Sequence, residues 1–144
     1  MTPAQAAKPD LPGIMEVNKA LHLDIPNFKW DQENWIADQI SQGNFYVVKD
    51  GDKVCAAMCV TSQPNGLLIE SMAVHQEHQS QGMGKTMLDF ARQLARQQKC
   101  QRLMVISFSA HGLELYYKSM GFQPDEPYTE NYEGEELYRF VTLV

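Results

Sequence analysis

The stretch Gln79-Ser80-Gln81-Gly82-Met83-Gly84-Lys85-Thr86 holds the residues best spaced for chemistry. Its two glycines follow an apolar, strand-like run, Leu67 to Val74, and open an amphipathic, helix-like run from about Met83. A strand, a tight turn and a helix N-terminus together make an anion site. The N–H groups of the first helical turn have no intrahelical partner, and the helix dipole adds partial positive charge there. Glycine permits positive φ and removes the Cβ that would keep a phosphate away from the backbone. The spacing predicts a pyrophosphate-bearing ligand held mainly by main chain.

Three readings of that loop differ in what they require. A P-loop needs Gly, four residues, then Gly-Lys-Ser/Thr, but the position five before Gly84 is Gln79. No apolar strand ending in a magnesium-binding Asp accompanies it. A dinucleotide fingerprint needs a third Gly three residues on, and Met87 stands there. The third pattern, Gln-x-x-Gly-x-Gly between strand and helix, resembles motif A of the GNAT superfamily of acyl-CoA-dependent N-acyltransferases. In that family the loop holds the pyrophosphate of coenzyme A. The alternative without function is an ordinary glycine-rich turn.

A second segment, Leu115-Tyr116-Tyr117-Lys118-Ser119-Met120-Gly121-Phe122, resembles the family's motif B, Tyr-x-x-x-Gly-Phe after a helix. Leu113, Tyr116, Tyr117 and Met120 recur at helical spacing, and Gly121 suits the left-handed residue that ends a helix. Alone, Tyr117 reads better as a core aromatic with its hydroxyl at the surface. The two motifs occur in the family's order.

The rest of the composition narrows the field. The chain has 144 residues, a formal net charge of −6 and three cysteines. That length predicts a single domain, residues 1–144, able to bury a substantial core, and the resemblance implies that it is an N-acetyltransferase domain. An acidic chain is a poor nucleic-acid partner. Cys55 and Cys59 read as core thiols on one strand face. Cys-x3-Cys with His75 and His78 nearby has the wrong spacing for the common zinc motifs, so no metal is expected. With no run of 18 apolar residues and no visible signal peptide, the chain reads as cytoplasmic, without a membrane partner.

The elements that must position the motifs can be read in order. Asp10 caps a helix from Leu11 to about His22, and a second helix runs from Asp31 to about Ile40. Phe45–Val48 and Val54–Thr61 form a hairpin about Asp50-Gly51. After Pro64-Asn65-Gly66, Leu67–Val74 delivers the chain to motif A. A helix from Met83 to about Gln98 and a buried strand, Leu103–Phe108, follow. The motif B helix spans His111 to Met120, and a last hairpin closes with Leu137–Leu143. This order resembles the GNAT fold over nearly the whole chain: α/β, with a mixed central sheet, a splayed strand pair and flanking helices.

The resemblance implies an acetyl-CoA-dependent N-acetyltransferase in which an amine attacks the thioester directly, with acetyl-CoA (coenzyme A) as cosubstrate. The pantetheine arm would lie along Met72-Ala73-Val74, and backbone N–H groups of Met72 and Val74 would polarise the thioester carbonyl. Gln79, Ser80, Gln81, Gly82, Met83, Gly84 and Lys85 would hold the pyrophosphate. Tyr117 matches the tyrosine that many members use as general acid. A phenol at ~10 is a weaker acid than a thiol at ~8.5, so proton donation is uphill by about 2 kcal/mol. A transition-state hydrogen bond is the safer description. Where many relatives carry Asn, this chain has Ala110, flanked by Ser109 and His111. Where some carry a glutamate base it has Val105, which leaves Glu70 as the candidate base. Glu70 is read as sharing strand parity with Met72 and Val74, and His75 and His78 are alternatives nearer the phosphate end. Phe28, Trp30, Trp35, Tyr128, Glu130, Tyr132 and Glu133 would border the acceptor, an amine-bearing small molecule or peptide. Related domains often dimerise through an edge strand. The alternatives are a non-catalytic acyl-CoA-binding protein of the same fold and, further off, a P-loop-like nucleotide-binding protein.

Overall fold

The computed structural model describes all residues, Met1–Val144. Seven strands form one mixed sheet: β1 (Ala4–Gln5), β2 (Phe45–Asp50), β3 (Lys53–Gln63), β4 (Gly66–Val74), β5 (Arg102–Phe108), β6 (Gln123–Tyr132) and β7 (Glu135–Leu143). Their order across the sheet is β1-β2-β3-β4-β5-β7-β6. Every neighbouring pair is antiparallel except β4 and β5. The fold is therefore a mixed α/β sandwich, as the sequence pattern implies.

The parallel pair is short. β4 and β5 are in register only over three rungs, Leu67–Leu103, Leu68–Met104 and Ile69–Val105. β4 continues for five residues past that point, paired with β3 alone. The two half-sheets thus splay apart beyond Ile69. His75 donates its N–H to Cys55 O at 2.7 Å. Because successive peptide groups point to opposite sides of a strand, those of Val74 and Met72 face into the splay.

Helices cover both faces. α1 (Leu11–Asn18) and α2 (Glu33–Ser41) lie on one side, where Ile14, Val17 and Ile36 pack on Phe45, Val47, Ala57 and Cys59. α3 (Met83–Gln97) and α4 (Glu114–Ser119) lie on the other. There Met87, Leu88, Ala91 and Ala95 meet Ile69, Leu103, Val105, Phe122 and Phe140. Fully burying Met87 or Leu88 contributes about 1.5–3 kcal/mol each, which anchors α3 below its glycine-bearing entry. No helix is long and apolar enough to cross a membrane.

Two β-bulges break the simple alternation. Between β2 and β3, Val48 pairs Ala56 while Lys49 pairs Val54, so Cys55 is the extra residue. Cys55 faces the α3 side and Cys59 the α1–α2 side, correcting the expectation that the two thiols share a face. Between β3 and β4, Cys59 pairs Ser71 while Val60 pairs Ile69, so Glu70 is extra. Met72 and Val74 continue the α3-side face of Leu67 and Ile69. Glu70 does not share it, which corrects the expected parity. A one-residue insertion shifts all later side chains to the other face of the count.

The motif B helix is shorter than its apolar spacing predicts. Ser109–His111 form a 3-10 turn and Gly112 adopts φ 68°. That left-handed residue separates the turn from the six-residue α4. In the last hairpin β6 runs on to Tyr132, and its register with β7 shifts between Pro124 and Thr129.

Candidate active site

The loop entering α3 is built from backbone. Ser80 and Gly82 have φ of 67° and 77°, and Ser80 holds this left-handed geometry although it carries a Cβ. Gly82 is the N-cap and no side chain caps the helix. The N–H groups of Met83, Gly84 and Lys85 are left for an anion. The two glycines serve different ends. A Cβ at Gly82 would meet nothing, whereas one at Gly84 would overlap the Tyr116 hydroxyl. Gly84 admits the close approach of α4 to α3, a role for that residue which the motif itself does not indicate.

An open cleft of about 520 Å³ runs from this loop along the end of β4. Met72, Ala73, Val74, Gln79, Ser80, Gly82, Met83, Gly84 and Lys85 all line it, together with Tyr116, Leu113 and His111. Gln81 does not: it is exposed, and its Oε1 lies 3.3 Å from His78 Nδ1. Gln79 Nε2 donates to Val74 O at 3.3 Å, tying the loop to the strand end. Lys85 is paired with Asp89 at 2.7 Å, so part of its charge is already offset. The cleft offers uncapped N–H groups at one end and unpaired strand edge at the other, a donor set that suits a diphosphate followed by an extended amide-bearing arm.

Tyr117 and Glu70 meet elsewhere. They share the wall of a small chamber of about 30 Å³ between the splayed strands, with Ser71, Met72, Ser107 and Phe108. Tyr117 is buried. Burial, and then the neighbouring Tyr116, pushes its hydroxyl well above the ordinary phenol range. Tyr116 on the open cleft is raised by burial alone. Cys59 is held strongly protonated by burial, with the Glu70 charge adding to the effect.

A strap of chain closes the chamber on the α1–α2 side. Phe28 and Trp30 are buried in its wall, and Trp30 packs edge-on against Phe108 and Tyr132 at 5.3 and 5.1 Å. Tyr132 donates its hydroxyl to Asn27 O at 2.6 Å, and Glu133 accepts from Asn27 Nδ2 at 3.3 Å. Trp35 stands behind Trp30 against Phe45. Glu130 is paired with Arg139 at 2.9 Å. Tyr128 is not part of this border, since it stacks on Tyr138 at 5.0 Å over the α3-side core. His75 lies outside both spaces, while His78 lies on the cleft.

His111 is the residue that sequence spacing passed over. It lines both the cleft and the chamber, because Gly112 turns the chain there before α4 begins. The signal available in the sequence is that His-Gly step, which interrupts an otherwise helical pattern.

A model of the family described as "Acetyltransferase (GNAT) domain" matches residues 41–124. The chain belongs to the GNAT acetyltransferase family. The matched span includes both motifs, the three-rung seam and the whole of α3. Solved structures support the GNAT fold over almost all of the chain. Ard1 from Thermoplasma volcanium has a TM-score of 0.82 at 15% identity, covering 99% of this chain and 97% of that one. N-acetylglutamate synthase from Neisseria gonorrhoeae, complexed with coenzyme A and N-acetyl-glutamate, has a TM-score of 0.79 at 17% identity. It covers 99% of this chain and 34% of its own. The ribosomal-protein-S18-alanine N-acetyltransferase from Escherichia coli has a TM-score of 0.75 at 17% identity, covering 99% and 93%. A search of curated proteins gave no match.

Proposed function

We propose that this GNAT protein is an acetyl-CoA-dependent N-acetyltransferase that moves an acetyl group to a primary amine by direct attack on the thioester, with residues 1–144 working as one domain. One observation carries the reading. The uncapped start of α3 and the chamber holding Tyr117 are joined by β4 residues, Met72 to Val74, that have no partner strand on the β5 side. A coenzyme A-bound neighbour of the same fold supports it.

Each residue then has a physical task. The N–H groups of Met83, Gly84 and Lys85 hold the diphosphate. The peptide groups of Met72 and Val74 pair with the arm as a strand would, and their N–H groups polarise the acyl carbonyl. Acetyl-CoA supplies the activated acyl group. Glu70, the carboxylate on the chamber wall, draws in the protonated amine and accepts a proton through water. Tyr117 faces the departing sulfur. Its hydroxyl is a still weaker acid here than in water, so it stabilises the thiolate by donating a hydrogen bond rather than by surrendering a proton. The acceptor is an amine-bearing small molecule or peptide.

A non-catalytic acyl-CoA-binding protein is the second reading, favoured by the small size of the chamber whose wall holds the buried Phe28 and Trp30. Thiol release from acetyl-CoA across a panel of small amines, polyamines, amino acids and peptide N-termini separates the two. Release with one class of amine is expected. Coenzyme A binding without any release supports the second reading, and loss of coenzyme A binding removes both.

A further inference from the structure

His111 stands where the large cleft and the small chamber meet. Its Nε2 lies 2.8 Å from the Leu21 carbonyl oxygen. A carbonyl oxygen can only accept, so Nε2 carries a proton. In the neutral ring Nδ1 is then left with a lone pair, and the bond to Leu21 fixes both tautomer and ring orientation. Phe108 packs edge-on against the imidazole at 5.8 Å.

An imidazole is the side chain best matched to proton exchange near neutrality. Charged and titratable groups around it come from three elements: Glu70 from β4, Tyr116 and Tyr117 from α4, and His78 and Lys85 from the α3 entry. β5 and the strap present no charged side chain to either wall. Glu70 is the one carboxylate among these groups.

We propose that His111, through Nδ1, takes the proton that the attacking amine must lose, and returns it to solvent when the thiol product leaves the cleft. This rests on the acyl-transfer reading above and adds a second proton acceptor to Glu70. A neutral amine forms the C–N bond to the acyl carbon. The C–S bond breaks with its electron pair on sulfur, and one N–H proton moves to Nδ1. The thiolate, held by the Tyr117 hydrogen bond, takes a proton on reaching water, and the imidazolium gives one up there. The sum is amine plus thioester giving amide plus thiol. Because His111 borders both spaces, the proton has a route out of a chamber with room for little more than a water.

His111→Gln tests this, because its amide can still donate to Leu21 O but no longer titrates. The expected result is a kcat at least ten-fold lower, a KM for acetyl-CoA within about two-fold, and loss of the acid-side limb of kcat/KM. Glu70→Gln keeps that limb. In His111→Ala, added imidazole restores part of the rate. A His111→Gln variant with the original limb and kcat overturns the role of His111, as does a slowed His111→Ala that keeps the limb and ignores imidazole. If the unaltered protein releases no thiol with any amine, the acyl-transfer reading itself falls, and this role with it.

Discussion

The donor cleft and the chamber beside it are built on opposite plans. The cleft, of about 520 Å³, is open and drawn largely with main chain: an uncapped helix start, two left-handed loop residues and an unpaired strand edge. The chamber, of about 30 Å³, is far smaller and lined with side chains: Glu70, Ser71, Tyr117, Phe28, Trp30 and Phe108. A site made of backbone recognises what all its ligands share. A site made of side chains can be rewritten one residue at a time, and the proposed function would locate selectivity for an acceptor there.

That contrast can be broken at the seam on which both depend. Leu103→Ala removes a fully buried side chain from one of the three shared rungs. It should cost about 2–5 kcal/mol in a urea titration and impair coenzyme A binding and turnover together. Gly84→Val should act on the cleft alone. Its side chain displaces the Tyr116 hydroxyl, and calorimetry should show coenzyme A affinity falling ten-fold or more, about 1.4 kcal/mol. Tyr116→Phe combined with Gly84→Ala should recover much of the loss; no recovery would mean the contact is not what Gly84 serves.

Tyr117→Phe should do the converse. Turnover falls about ten-fold while the Kd for coenzyme A stays within about two-fold. Unchanged turnover with the correct amine would remove Tyr117 from the chemistry. The same residue also has a pH signature. Its folded pKa is raised by burial, so its contribution is complete below the unfolded phenol value and is lost as pH climbs past ~10. Melting curves should show the unaltered protein losing stability above that point faster than Tyr117→Phe. The smallest effect is expected at Ser80→Gly. Relieving a left-handed residue that carries a Cβ, less the entropy glycine adds to the unfolded chain, should raise stability by up to about 1 kcal/mol. A lower melting temperature would show that the Ser80 hydroxyl matters more than its backbone.

The same contrast decides what could be read in advance. The cleft was legible because backbone sites leave local marks: an apolar strand, glycines two apart, an amphipathic helix behind them. All its expected residues except Gln81 line it. The chamber was only partly legible. Tyr117 came from its distance to Gly121. Counting by twos puts Glu70 on the face of Met72 and Val74 and fails there, because a bulge leaves no signature in an alternating apolar run. His111 was passed over because Gly112 cuts the helix that the spacing of Leu113, Tyr116, Tyr117 and Met120 extends back to it. Tyr128 was misplaced by the bulge between Pro124 and Thr129. Long elements with one dominant period survive such local insertions, which is why the strand and helix order held while side-chain direction did not.

The three-rung seam has one more consequence. Two stiff panels of sheet, hinged along a line of three residues, can tilt like covers about a narrow spine. Small rotations there grow with distance, so the gap at the far end widens by more than the hinge itself moves. Deuterium uptake at the amides of the shared rungs, Leu67–Ile69 and Leu103–Val105, compared with that at the His75 amide bonded to Cys55 O, would measure how often the book opens.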